Sequence, residues 1–220
     1  MQRIERPERS VGPVEGVVVF VQVIQGQVAD PGKVRAALDR WIQELAPGSI
    51  GWLGTTAGVT EDGRFIELAR FESEEAARRN SNRPEQDQWW AEAAKLFSGE
   101  ATFKDSSDVT LDVTGEPDDA GFVQVMQGRG RDPERARELM DQDSGAWAAF
   151  RPEILGSVAV GHEGGAYTMV VYFTSEAAAR EGERKELPPE LQAQMDELAA
   201  LSVGEPEFFD LKEPWLYSPR

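Results

Sequence analysis

The chain has 220 residues, 40% hydrophobic and 29% charged, with 40 acidic against 23 basic side chains and a formal net charge of −17. That size and composition suit a protein with a buried core, whereas the acidity argues against nucleic acid or an anionic membrane as a partner. There is no cysteine and one histidine, His162, which excludes disulfides, thiolate catalysis and zinc or haem sites built from several such ligands, so no metal site is expected.

Residues 1–15 read as a flexible polar leader with no apolar stretch of signal-peptide length. No apolar run approaches a membrane span, and the expected location is the cytoplasm. Residues 17–26, VVVFVQVIQG, are rich in β-branched side chains and end on glycine, which predicts a strand. Asp30-Pro31 then opens a helix, because aspartate caps free N–H groups and proline suits the first helical position. Val34, Leu38, Trp41, Ile42 and Leu45 give that helix one apolar face. Residues 52–60 and 64–71 predict two strands around Asp62-Gly63, a hairpin turn signal. Ser73-Glu74-Glu75 caps a second helix, which Pro84 interrupts and which resumes to about Phe97. Residues 102–113 predict a last strand.

The pattern then recurs. Displaced by 102 residues, residues 20–39 lie on residues 122–141 with ten identities in twenty positions, and residues 54–78 lie on 156–180 with ten more. Beyond this the offset becomes 105: Gly99, Phe103, Asp105 and Leu111 match Gly204, Phe208, Asp210 and Leu216. Three residues are therefore inserted in the second copy, around residues 181–190. A repeat of this length is a whole structural unit. The expected organisation is a leader (1–15), repeat one (16–113), an acidic linker (114–120) and repeat two (121–218).

The order β-α-β-β-α-β defines a ferredoxin-like α+β unit, an antiparallel sheet with both helices on one face. The opening strand and residues 167–173 are nearly apolar on both alternating faces, so each sheet must also be covered on its second face. The other repeat's sheet is the expected cover. Two such sheets face to face predict an eight-stranded barrel within one chain, with room for side chains or one small ligand.

On the opening strand, the Pro31-Gly32-Lys33-Val34 helix start and the Phe71-Glu72-Ser73-Glu74-Glu75-Ala76 junction, both repeats resemble the dimeric α/β-barrel superfamily and its antibiotic-biosynthesis-monooxygenase-like domains. The resemblance covers nearly the whole chain outside the leader and linker. It implies a small-molecule ligand and cofactor-free oxygenase chemistry on an aromatic or polyketide-like substrate. It also implies either a monomer with an internal pseudo-dimer or a homodimer. No cofactor is expected: the haem-degrading branch needs an axial histidine after the second helix start, and neither repeat has one.

Asn80 and Asn82 are the only asparagines, close to Trp89-Trp90. Repeat two has Gly182 opposite Asn80, and Gln194-Met195 opposite the tryptophans. In the resembled oxygenases an asparagine and a tryptophan from about this region position substrate and oxygen, which makes Asn80, Trp89 and Trp90 the candidate catalytic residues. The competing account is a core stripe of Trp89, Ala93 and Phe97 with a helix stop at residues 80–82. Gln22, Gln25, Gln124 and Gln127 are strand amides kept in both repeats and are the candidate ligand-binding residues, since an amide both donates and accepts. Gln22 shares a strand face with Phe20 and Ile24, so a barrel-facing amide is possible there. The alternative for all four is a structural hydrogen bond. Glu67 and Arg70 fall on opposite strand faces, which rules out a short-range pair; either could be an interior charge, and solvation at a sheet edge is the expectation. His162 is expected in an exposed turn. With no acid–base pair, nucleophile or metal site in evidence, the alternative function is a non-catalytic ligand carrier or a structural, stress-related module.

Overall fold

A computed structural model describes residues 19–113, 115–142 and 144–219; the leader and the first two residues of the predicted opening strand lie outside them. Repeat one contributes β1 (Phe20–Gln27), α1 (Pro31–Glu44), β2 (Trp52–Val59), β3 (Arg64–Phe71), α2 (Glu74–Ser81), α3 (Pro84–Ala93), β4 (Thr102–Ser106) and β5 (Val109–Val113). Repeat two contributes β6 (Phe122–Arg129), α4 (Pro133–Asp141), α5 (Ser144–Phe150), β7 (Ile154–Gly161), β8 (Ala166–Phe173), α6 (Glu176–Glu183), α7 (Pro189–Leu201), β9 (Glu207–Leu211) and β10 (Trp215–Tyr217).

The helix starts are the capping signals of the sequence. The Asp30 side chain accepts from Lys33 N at 3.1 Å, and Asp132 from Arg135 N at 3.0 Å. Ser73 accepts from Ala76 N and Ser175 from Ala178 N, satisfying N–H groups that a helix leaves free. The β2–β3 turn needs its glycine: Gly63 has φ +83°, and a Cβ there would meet Gln27 Nε2 and the Val28 carbonyl. The inserted residues are located too. Five residues separate α6 from α7, whereas two separate α2 from α3.

The strands form two antiparallel five-stranded sheets, in the orders β10-β2-β3-β1-β4 and β5-β7-β8-β6-β9. Val21, Val23, Ile66 and Leu68 from the first pack between the sheets with Val123, Val125, Val158, Val170, Tyr172 and Leu211 from the second. The expectation that each sheet covers the other is met, and the helices cover the outer faces. Ten strands replace the expected eight, in two separate sheets and not one closed hydrogen-bonded barrel. The reason is that the last strand of each repeat breaks and changes sheets. β4 pairs with β1, but after Ser107-Asp108 the chain crosses and β5 pairs with β7. Likewise β9 pairs with β6, and β10 crosses back to pair with β2.

Candidate functional site

In repeat one the layer between helices and sheet is incompletely filled and holds a cavity of about 230 Å³. Its floor is the helix-facing row of three adjacent strands: Gln22 and Ile24 from β1, Thr55 from β2, and Glu67, Ala69 and Phe71 from β3. Its roof is Leu38 and Trp41 of α1, Asn80 at the end of α2, and Trp89 and Trp90 of α3. Asp87 and Phe103, both exposed, stand at its rim.

The aromatic wall is held by hydrogen bonds as well as by packing. Trp41 Nε1 donates to Gln86 Oε1 at 2.6 Å, and Trp89 Nε1 to the Ala37 carbonyl at 3.0 Å. Trp41 and Trp89 meet edge to face with centroids 6.5 Å apart, and Trp90 meets Phe103 at 5.1 Å. Asn80 is 6% exposed. Its Oδ1 accepts from Arg83 Nη1 at 3.1 Å, while Arg83 also donates to the Leu45 carbonyl. That bond fixes the orientation of the amide, and its NH2 group bonds to no described residue. Asn80 lies in the last turn of α2, and its side chain lines the cavity.

Glu67 is the residue sequence reasoning missed. It is not solvated at an edge but 8% exposed, in the middle of β3 between Ile24 on β1 and Ala57 on β2. No described residue bonds to it. Burial alone raises its carboxyl from 4.5 to about 7. The sequence signal was its place in the row Phe65, Glu67, Ala69, Phe71, an acid among the apolar residues that face the helices. Arg70 does lie on the opposite face, half-buried, with its Nε lacking a partner among the described residues.

The four glutamines separate into two pairs. Gln22 faces the helices, not the space between the sheets, because it shares the side of Phe20 and Ile24 on which α1 and α3 pack. Its Nε2 donates to Asp105 at 3.3 Å. Gln124 makes the matching bond to Asp210 at 2.9 Å. Gln25 and Gln127 do face between the sheets, and they bond to each other. His162 is half-buried rather than exposed, its Nε2 2.9 Å from Thr168 Oγ1, and burial lowers its pKa. The structure thus brings Gln22, Asn80, Trp89 and Trp90 to one cavity, and leaves Gln25, Gln124 and Gln127 away from it.

Repeat two has taken the same place apart. Met169 stands where repeat one has Glu67, and Gly182 where it has Asn80. Gln194 stands in for Trp89 and donates to the Leu139 carbonyl, the counterpart of Ala37. The Arg180 guanidinium reaches across to Asp210, lies over Phe122, and also pairs with Glu183. Among the described residues no group of three or more acidic or histidine side chains could hold a metal, and no helix is long and apolar enough to cross a membrane.

No protein-family model and no curated protein matches the sequence. Solved structures do match. A monooxygenase-like protein of Lactobacillus acidophilus superposes with a TM-score of 0.69 at 11% identity, over 90% of this chain and 99% of the other. A second, from Fusobacterium nucleatum, gives 0.70 at 12% identity over 92% and 95%. An anthrone oxidase-like protein gives 0.63 at 12% identity over 93% and 95%. The chain shares its fold with these three proteins over nearly its whole length. At these identities the likeness is one of fold.

Proposed function

We propose that the chain binds a small, ring-containing molecule in the repeat-one cavity and oxygenates it without a cofactor, as a monooxygenase-like enzyme of aromatic or polyketide-like substrates. One observation carries this: repeat one keeps a cavity lined by Asn80, Trp89 and Trp90, and repeat two has Gly182, Gln194 and Met195 at those positions. Packing alone would disfavour such a cavity, since unfilled space forfeits contacts. The cavity is small beside ligand pockets of about 300–1,000 Å³, which suits a compact fused-ring molecule better than an extended chain.

Without a cofactor the substrate itself must supply electrons to oxygen, and it does so as an anion. The protein's tasks are then to hold the ring system, stabilise the negative oxygen and exclude water. The tryptophan wall stacks on the ring, and the Asn80 NH2 group donates to the oxyanion. The test is oxygen consumption with anthrone as substrate. Wild type is expected to turn over, and Asn80→Ala to lose about 10²–10³-fold in kcat as expected for one oxyanion donor. Trp90→Phe should raise KM. Binding without oxygen uptake would favour a ligand carrier.

A further inference from the structure

We infer that Glu67 is the proton acceptor of this cavity, and that the cavity selects a neutral, weakly acidic ring compound (a phenol, an enol or an anthrone-type carbon acid) over an anionic one. The inference deepens the oxygenase reading above and rests on it for the identity of the site.

Three observations meet here. Glu67 is more than nine-tenths buried, lines the cavity and has no partner among the described residues. A carboxylate so placed is costly, and Met169 shows that repeat two manages the same strand position with an apolar side chain. Its retention is therefore not a matter of stability. The second observation is charge. Among the described residues no Lys or Arg lines the cavity. β1, β2 and α2 face Glu67 with neutral side chains. Of the other surrounding elements, α3 brings Asp87 to the rim, while Asp105 on β4 is held by Gln22 and Asp39 on α1 by the Tyr217 hydroxyl, which Arg35 also meets. Arg83, the cation bonded to Asn80, also bonds to the Leu45 carbonyl and Glu85. A ligand that arrives already negative meets Glu67 and Asp87 and, among the described residues, no counter-charge.

The third is the chemistry of exchange. A ring O–H or activated C–H gives its proton to a Glu67 carboxylate oxygen, the bonding pair stays on the ligand, and Glu67 becomes a neutral acid. The total charge in the cavity is unchanged. A charge confined to two oxygens becomes one spread over a ring system that faces tryptophans and the Asn80 NH2 group, and the burial penalty on Glu67 is relieved. A carboxyl raised to about 7 is ionised often enough near neutrality to act as that base.

The test is an anaerobic absorbance titration of anthrone with the full chain, so that ionisation is read apart from oxidation. Wild type should convert bound anthrone to its coloured anion as the pH passes about 7. Glu67→Gln should bind anthrone yet leave it neutral, with at least about tenfold less anion at about pH 8. Glu67→Asp, with a retained melting curve, should restore part of the anion and so exclude a folding artefact. Anthracene-9-carboxylate should bind wild type at least about tenfold more weakly than anthrone at about pH 8, and Glu67→Gln should narrow that gap. Equal ionisation in wild type and Glu67→Gln overturns the assignment of Glu67, and equal binding of the carboxylate overturns the selectivity. No binding of anthrone by wild type overturns both. Ionisation that depends on Glu67 but leads to no oxygen uptake in air would keep this inference and remove the oxygenase reading.

Discussion

Gln25 Nε2 donates to Gln127 Oε1 at 3.0 Å, and the two residues are 102 positions apart, the same site in each repeat. They meet between the sheets where the internal two-fold relationship would place a residue against its own counterpart. One amide must donate and the other accept, so the pair cannot be symmetric. The asymmetry propagates: Gln127 Nε2 donates to Thr168 Oγ1 at 3.0 Å, and Thr168 also meets His162. The corresponding residue of repeat one is Ile66, which makes no such bond.

That pair predicts coupling. Gln25→Leu leaves the Gln127 carbonyl oxygen without its donor in a partly buried place and should cost about 1–2 kcal/mol in urea denaturation. Gln25→Leu with Gln127→Leu should cost measurably less than the sum of the two single changes. Strict additivity would show that the amides do not stabilise one another.

Glu67 predicts a pH-dependent cost. Its folded carboxyl is raised from 4.5 to about 7, so the folded state holds the proton more tightly than the unfolded state. Its contribution is intact below about pH 4.5, erodes through the window between, and is lost above about pH 7. Glu67→Met, which copies repeat two, should therefore gain stability on wild type as pH rises, reaching about 3 kcal/mol at about pH 8 and little at about pH 4. Denaturant midpoints at the two pH values check this. An equal gain at both would mean that the residue acts by packing and not by charge.

Trp89 should be replaceable by glutamine more readily than by alanine. Gln194 already makes the matching bond to the carbonyl of Leu139 in repeat two. Trp89→Gln should retain the link to Ala37 and cost less than the roughly 3–5 kcal/mol expected for a tryptophan truncated to alanine. Tryptophan-fluorescence titration with anthrone should nevertheless show weakened binding, because the wall of the cavity is gone.

The exchanged strands predict the association state. Trp215 of β10 is buried against repeat one, 6.3 Å from the Phe65 ring, and Trp215→Ala should cost about 3–5 kcal/mol. Residues 19–113 expressed alone would leave β2 without β10 and β5 without β7. That fragment should dimerise, each copy's β5 pairing with the other's β2, while the full chain remains a monomer in native mass spectrometry.

Much of this was legible in the residues. Asp30-Pro31 and Ser73-Glu74, each with its echo in repeat two, located the helix starts because capping is local chemistry. The double-sided apolar strands required a second sheet. The break at Ser107-Asp108 was not legible, since residues 102–113 alternate like one strand and only the position of the other sheet turns the chain. The side taken by Gln22 was not legible for a related reason: both faces of β1 are apolar, so alternation alone could not say which side the helices take. The weight of Glu67 emerged only with its neighbours. Its cross-strand partners Ile24 and Ala57 are what deny it water and a counter-charge, and pairing register is a property of the folded sheet.

The crossing of β10 also orders events on the ribosome. The edge of β2 is made by residue 59, and its partner begins at residue 215. At about 5–20 residues per second, that edge waits roughly ten to thirty seconds for its partner. Throughout that time repeat one carries a bare strand edge of the kind that pairs with neighbouring chains. Adjacent nascent copies on one messenger would present β5 and β2 to each other, so chaperone capture of half-made chains, and not the stability of the finished protein, would set its yield.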